Sequence, residues 1–239
     1  MNYYFLLEDE KSFLKVLPLW LEYMNFGIKR VPDIQEVQEN NYVLQSGQGV
    51  TQLVTKALFD TIDTILLNPG KIDQLVIVLD AEELEVEDRK QNVIEQINNH
   101  YSIRQINFDI VILVCNHCFE TWLLGCRGLY PTGQVETGSD FYQYYNHYNI
   151  DKNDPENMIP PEESDDTIAK YHFHYLHEFL SYKKIRYSKN KPQNIATKEY
   201  FKGMVERIEM TPHLKSFKAF HDFIMNHSQI TNDRSKSES

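Results

Sequence analysis

A run of aliphatic residues that ends in carboxylates constrains the fold of this chain more than any other feature. Leu75 to Leu79 shows no polar alternation, and Asp80, Glu82 and Glu83 follow it at once. Strands without alternation are typical of parallel sheets that helices cover on both faces. Because ligands bind at the carboxyl ends of such strands, these acids lie where a functional site is expected. Carboxylates also favour helix N-termini, so helix capping is the competing interpretation.

Two other segments repeat the order of apolar strand, acid and helix. Tyr3 to Leu7 precedes Glu8, and the apolar run 108–115 leads into the segment that holds Glu120. About four strands alternate with helices over the first 128 residues. This alternation predicts an α/β fold with a parallel sheet and helices on both of its faces.

Composition predicts how the rest of the chain is organised. A stretch rich in Tyr, Gly, Asn, Asp and Pro predicts a connecting segment, and helical periodicity with proline and threonine helix starts follows it. The polar C-terminus predicts disorder. The predicted units are an α/β core over 1–128, a connecting segment over 129–163, a mainly helical extension over 164–228 and a disordered tail over 229–239.

Charge and cysteine content narrow the class of protein. The net charge of -11 argues against nucleic-acid binding through a generally basic surface. Three cysteines leave one thiol unpaired, which argues against a disulfide framework and for a reducing compartment. No stretch approaches the ~20 apolar residues of a membrane span, and the N-terminus lacks the basic start of a secretion signal. A cytoplasmic protein that has no membrane partner is therefore expected.

Four carboxylates are the candidate site residues. If the strands are parallel and adjacent, the ends that carry Glu8, Asp80, Glu82 and Glu120 lie on one edge of the sheet. Close carboxylates repel one another, and hard divalent cations such as Mg²⁺ or Mn²⁺ remove that repulsion. Such ions orient a phosphodiester and lower the pKa of the attacking water. The four acids are thus predicted to be metal ligands and catalytic residues.

These segments resemble the Toprim fold, and within it the RloB-like and OLD-type nucleases of bacterial defence loci. The resemblance rests on Glu8 after the first strand, on Asp80-Ala81-Glu82, and on the block from Asn116 to Leu124. It covers roughly the first 125 residues, and Cys-Phe-Glu-Thr-Trp-Leu-Leu within the last block is its most specific part. The chain departs from the family pattern at Asp9, where Gly is usual, at Glu82, where Asp is usual, and at His117, where proline is common.

The resemblance implies a metal-dependent nuclease built on the first Glu and the Asp-x-acid pair, which acts in anti-phage defence. It also implies an ATPase partner encoded nearby. The chain would depend on such a partner for nucleotide control, because it has no Walker motif of its own. DNA and RNA remain open as substrates, and so do monomer and homo-oligomer. Two alternatives stay open as well. One is a catalytically silent Toprim-like module that binds or senses a partner, and the other is a toxin-like component that the ATPase holds inactive.

A basic span in the C-terminal part is the predicted nucleic-acid contact. Its cations, with tyrosines between them, are Lys183, Lys184, Arg186, Lys189 and Lys191. Cations and interleaved aromatic rings suit a single strand or a distorted duplex. Lys184 is the candidate for stabilising the charged transition state. A solvated helix end explains the same pattern equally well.

Cysteine and histidine residues offer a competing zinc site. Cys115, His117 and Cys118 lie close together in the sequence. A structural zinc site needs paired ligands at fixed spacing, whereas only one Cys-x-x-Cys is present and Cys115 falls in a predicted buried strand. Buried thiols are the favoured interpretation. The histidines at positions 172, 174 and 177 are predicted to be surface or interface residues rather than ligands.

Overall fold

A computed structural model describes residues 1–8, 11–102, 105–131 and 134–237, with side chains as far as 228. The described chain is an α/β protein with an all-parallel five-stranded sheet, flanking helices and a helical C-terminal region. This architecture confirms the predicted fold class and is consistent with a Toprim-like fold. The sheet has one more strand than expected, because a short strand forms in a stretch whose sequence predicts irregular structure.

The elements are numbered in chain order. The strands are β1 (Tyr3–Leu7), β2 (Lys29–Arg30), β3 (Asn41–Ser46), β4 (Gln74–Asp80) and β5 (Asp109–Cys115). The helices are α1 (Phe13–Tyr23), α2 (Val50–Gln52), α3 (Leu58–Leu66), α4 (Val86–His100), α5 (Phe119–Leu123), α6 (Phe141–His147), α7 (Ile168–Tyr182), α8 (Lys198–Met210) and α9 (Lys215–Ser237). A π-helical turn over Leu53–Ala57 joins α2 to α3.

The strand order β2-β3-β1-β4-β5 places the two strands that carry predicted site residues side by side. Leu7 of β1 lies opposite Val78 of β4, and Asp80 lies opposite Cys115 of β5. All neighbours are parallel, so the carboxyl ends of β1, β4 and β5 meet on one edge of the sheet. This edge is the place where the sequence predicts a functional site.

The two faces of the sheet belong to two separate hydrophobic clusters. Side chains of β1 and β4 alternate between them, as the period of two in a strand requires. Tyr4, Leu6 and Ile77 point to the face that α3 and α4 cover. Tyr3, Phe5 and Val76 point to the other face, which α1, α5 and the C-terminal helices cover.

The C-terminal helices complete the hydrophobic core. Phe217 and Phe220 of α9 pack around Trp20 and Trp122 in tilted or edge-on arrangements, with ring centroids 5.4–6.1 Å apart. The predicted boundary near residue 128 therefore falls within one continuous apolar cluster. α9 also runs through Ser237, so its backbone includes most of the segment whose composition predicts disorder.

A buried acid, Glu156, fixes the start of α9 against the end of β5. The residue is 7% exposed, and its carboxylate accepts hydrogen bonds from the backbone N–H of Lys215 at 3.0 Å and from the N–H of Ser216 at 2.9 Å. The Ser216 hydroxyl donates to the same carboxylate and accepts from the Trp122 indole N–H at 2.7 Å and the Asn116 N–H at 3.1 Å. The block that resembles Toprim nucleases most specifically thus anchors the C-terminal helices.

His172 corrects the prediction that the histidines of α7 are surface or interface residues, because it is completely buried within the chain. Its Nε2 lies 2.8 Å from the Met158 carbonyl, which can only accept, so Nε2 carries the proton. Nδ1 lies 2.7 Å from the Thr121 hydroxyl and accepts from it. Burial lowers the pKa of His172 to about 3, with smaller effects from Met158 and His117.

Acid should weaken the fold through His172. Its pKa is about 3 in the folded state and 6.5 ordinarily, so protons bind the unfolded state first as the pH falls from 6.5 towards 3. We expect a loss of about 2 kcal/mol between pH 7 and pH 5 from this residue alone. Urea unfolding of the unchanged chain and of His172→Gln at both pH values isolates this effect. Glutamine can make both hydrogen bonds, but it does not bind a proton between pH 7 and pH 5. Equal losses in the two proteins would contradict the expectation.

Candidate functional site

Glu8 and Asp80 come together at the carboxyl edge of the sheet. Glu8 directly follows β1, and its N–H donates to the Val78 carbonyl at 2.9 Å. Its Oε2 accepts the Asp80 N–H at 2.7 Å. Burial raises the pKa of Glu8 to about 7; the Asp80 amide, Arg89 and the Val50 amide oppose this rise, and the Glu82 carboxylate adds to it. The carboxyl group of Glu8 therefore lies where its negative charge is poorly compensated.

A glycine turn between β3 and α2 holds the backbone around Glu8. The Gly47 N–H donates to the Leu7 carbonyl at 2.6 Å, and the Gly49 N–H donates to the Glu8 carbonyl at 3.0 Å. A Cβ on Gly47 would lie 2.7 Å from the Cβ of Leu53, so only glycine fits there without a shift. Gly49 has a φ of +91°, which glycine adopts without strain. The turn thus shapes the backbone next to the candidate site.

Glu82 lies in a turn that is tied to the end of β5. Its φ is +54°, and that of His117 is +63°. The Glu82 N–H donates to the His117 carbonyl at 2.8 Å, and Nδ1 of His117 lies 3.1 Å from the Glu82 carbonyl oxygen. The two strand ends are therefore linked by reciprocal contacts.

Arg89 is a site residue that the sequence reasoning missed. Its Nη2 lies 3.4 Å from Oε2 of Glu82 and donates to the Ala81 carbonyl at 3.1 Å. The side chain is 12% exposed, and its Nε has no hydrogen-bond partner among the described residues. The sequence signal for Arg89 is the basic pair Arg89-Lys90 within the first turns of the helix that follows the acidic turn.

Glu120 occupies a different environment from the one predicted. Its side chain is almost fully buried, and Oε1 lies 3.2 Å from Nζ of Lys189 and accepts from the Tyr187 hydroxyl at 3.1 Å. A carboxylate with a lysine and a tyrosine on the same oxygen is already compensated. Glu120 thus belongs to an ion pair whose carboxylate is buried and whose lysine side chain is 44% exposed.

Lys189, rather than Lys184, is the lysine of the basic span that reaches the sheet edge. Besides Glu120, the surroundings of Lys189 include the charge of Asp80, and its Nζ lies 5.4 Å from the centre of the Phe173 ring. Burial opposes the charge of Lys189, but Glu120 outweighs it, and the pKa is raised. Lys184 is exposed at the end of α7.

The other cations of the basic span, which the sequence predicts to contact nucleic acid, differ in how far they are exposed. Arg186 and Lys191 are exposed and Lys183 is half-buried. A short antiparallel bridge between Ser188 and Lys191 forms the tight turn that holds Lys189. The span thus offers three cations to solvent beside the one that faces the carboxylates.

The carboxylates do not form a ready metal cage. In the described ranges, no group of three or more His, Cys, Asp or Glu residues is placed to hold a metal ion. Asp80 contacts the Cys115 thiol, whose pKa burial and then the Asp80 charge raise well above the ordinary value. The three cysteines are buried and unbridged, as the sequence predicts.

The comparisons with known proteins identify no relative. No protein-family model, curated protein or solved structure matches the chain. Among the helices that the structure describes, none is long and apolar enough to cross a membrane. The resemblance to Toprim nucleases therefore stays a prediction from the motifs quoted above.

The charged side chains at the carboxyl edge of the sheet determine which ligands could bind there. Two acids, Glu8 and Asp80, lie on adjacent strand ends, with Glu82 held beside them by Arg89. Lys189 approaches from the C-terminal region. Acidic oxygens suit a hard cation, and flanking cations suit the anionic oxygens of a phosphate.

Proposed function

We propose that this chain is a divalent-metal-dependent phosphodiesterase that cleaves DNA or RNA at the carboxyl edge of its sheet. The hydrogen bond from the Asp80 N–H to Oε2 of Glu8 is the observation that carries the proposal. It brings acids from two strands together at the place where parallel sheets bind ligands. Burial raises the pKa of Glu8 in spite of this hydrogen bond, and a nearby cation would lower that pKa.

The carboxylate oxygens at this edge of the sheet are the kind of ligand that Mg²⁺ prefers, and two of them are enough for a site that water and substrate complete. Mg²⁺ is usually bound by one or two carboxylates, with water and substrate phosphate completing its shell. Glu8 and Asp80 supply such a pair, and Glu82 is a third candidate if it leaves Arg89. A bound ion would lower the pKa of an attacking water. We leave Glu120 out of the ligand set because Lys189 and Tyr187 occupy its oxygen.

The chain's own residues have separate tasks in this proposal. The Asp80 amide, with help from the Val50 amide, holds Glu8 in place. Lys189, whose pKa the charge of Asp80 helps to raise, would stabilise negative charge on a phosphate bound near Asp80. The exposed cations Lys184, Arg186 and Lys191 would contact the backbone of the nucleic acid further from the reacting phosphate.

The biological setting of the proposal comes from the resemblance alone. It gives the chain the role of effector in an anti-phage defence system that works in the cytoplasm with an ATPase partner. Regulation by such a partner would also explain a purified chain with little activity. Co-purification with the ATPase, followed by a cleavage assay, tests this part separately.

One observation favours a second candidate, a catalytically silent module. Glu8 takes its hydrogen bonds from backbone amides, and Glu82 and Glu120 each pair with a basic side chain. Carboxylates used in this way stabilise structure without binding a metal. Binding of Mn²⁺ distinguishes the two candidates.

The test compares Asp80→Asn with the original chain. With Mn²⁺ and a labelled single strand of DNA or RNA, we expect cleavage to fall at least 100-fold in the variant. Mn²⁺ should raise the melting temperature of the original chain but not that of the variant, since a ligand of the folded state stabilises it by ~2.7 kcal/mol at 100 times its Kd.

Glu85→Gln is the matched control, because Glu85 is an exposed acid close to the same turn. It should keep both cleavage and the Mn²⁺ response. If Mn²⁺ leaves the melting temperature of the original chain unchanged and no cleavage appears with the ATPase present, the silent module is the better description.

A further inference from the structure

A cavity between α6 and α7 lies outside the sheet edge and has no task in the proposed reaction. Its volume is about 570 Å³. The residues that define its character are Tyr142, Tyr144, His147, Glu163, Asp166 and Tyr171. Aromatic side chains therefore form much of its wall, and carboxylates lie along the segment that leads into α7.

The aromatic wall is fixed by ring packing. The rings of Tyr144 and Tyr171 have centroids 5.5 Å apart, and the His147 ring lies edge-on to Tyr171 at 5.9 Å. Nε2 of His147 lies 3.0 Å from the Ile159 carbonyl, so the imidazole is held on the wall. Tyrosine faces carry negative charge density and attract ammonium and guanidinium groups.

The charge around the cavity is strongly negative. Four acids fall within five residues, at 162, 163, 165 and 166. Asp166 is already paired with Lys170 at 2.6 Å and His174 at 2.8 Å. Glu163, which lines the cavity, makes no ion pair with any residue that the structure describes. A phosphate backbone would be repelled here, whereas a cation would be attracted.

We infer that this cavity binds the cationic side chain of an arginine- or lysine-rich segment of a partner protein. Charge complementarity selects that occupant, because tyrosine rings line the cavity and Glu163 forms no ion pair with any described residue, and both features favour a positive group. Guanidinium is the better match of the two, since its flat ion stacks on an aromatic ring while it donates to a carboxylate. The inference does not depend on nuclease activity, because none of the cavity residues belongs to the sheet edge.

A matched pair of peptides tests the charge requirement. The probe is a fluorescein-labelled hexapeptide with two adjacent arginines among glycine and serine, and its control carries citrulline at both positions. Citrulline keeps the shape of arginine but not its charge. In fluorescence anisotropy at physiological salt, we expect the arginine peptide to bind at least tenfold more tightly than the citrulline peptide.

Paired substitutions locate the binding. Glu163→Gln should weaken arginine-peptide binding about three- to tenfold, whereas Glu162→Gln removes the same charge one residue away and should change it less than twofold. Tyr144→Leu should weaken it, whereas Tyr145→Leu on the same helix, which packs on Phe141 and does not line the cavity, should not. Circular dichroism melting curves verify that each variant folds.

Several results would overturn the inference. Equal binding of both peptides, or no binding of either, would exclude a site for a cationic side chain. Equal effects of Glu162→Gln and Glu163→Gln would show general attraction to an acidic surface. If Tyr144→Leu fails to fold, the Glu162 and Glu163 pair decides the result by itself. The Asp80→Asn protein should bind both peptides as tightly as the unchanged protein does, whether or not it has lost metal-dependent cleavage.

Discussion

Removing residues 129–239 is expected to leave a fragment that does not fold cooperatively. The sheet face that carries Tyr3 and Phe5 would keep α1 and α5 but lose the C-terminal helices that cover the rest of it, and Trp20 and Trp122 would lose their contacts with α9. Loss of one buried aromatic side chain costs about 3–5 kcal/mol, and a domain has only about 5–15 kcal/mol in total. The deletion removes many such side chains together.

Near-ultraviolet circular dichroism and urea unfolding of the 1–128 fragment measure this effect. We expect no aromatic signal and no cooperative transition. Adding the separately expressed 129–239 fragment should restore part of both signals, because the two pieces share one apolar cluster. A cooperative transition in 1–128 alone would instead support the domain boundary that composition predicts.

Glu156→Ala should destabilise the full chain by about 3–4 kcal/mol. The change removes the acceptor for two backbone N–H groups at the start of α9 and for the Ser216 hydroxyl. Hydrogen bonds to a charged group contribute ~1.5–3 kcal/mol each, although their losses are not additive. Ser216 would also be free to turn away from Trp122 and Asn116. Chemical unfolding with a constant m-value measures the loss.

Two variants show whether the position or the charge is responsible. Glu162→Ala removes an exposed acid of the same region and should change the free energy of unfolding by less than about 0.5 kcal/mol. Glu156→Gln keeps an acceptor oxygen, so its loss of free energy of unfolding should fall between those of Glu162→Ala and Glu156→Ala. A loss below 1 kcal/mol in Glu156→Ala would mean that α9 begins equally well without its remote acid.

The parts of the fold that follow from periodicity could be predicted from the sequence. Leu75 to Leu79 has no polar alternation because β4 is buried on both faces. The acids at the ends of β1 and β4 meet because parallel neighbours end on one edge. That reasoning placed Glu8 beside Asp80, and the structure confirms their proximity. Their role as metal ligands stays a prediction.

What the sequence could not supply are contacts between distant segments. Nothing local to Glu120 indicates that Lys189, 69 residues later, approaches it. Choosing Lys189 over Lys184 needs the turn from Ser188 to Lys191, which only tertiary packing positions. The sequence predicts His172 to be a surface or interface residue, because the burial of a neutral histidine between two hydrogen-bond partners leaves no periodic signal. Position 9, where the chain departs from the Toprim pattern, lies outside the described residues.

The left-handed backbone at Glu82 and His117 has a mechanical consequence. Each of these residues has a positive φ, a backbone conformation that costs of order 1 kcal/mol for any residue other than glycine. Their reciprocal contacts hold both in place, so neither turn can relax without releasing the other. The segments that follow β4 and β5 are therefore coupled, and a substitution at His117 is expected to alter the turn at Glu82, two residues after Asp80.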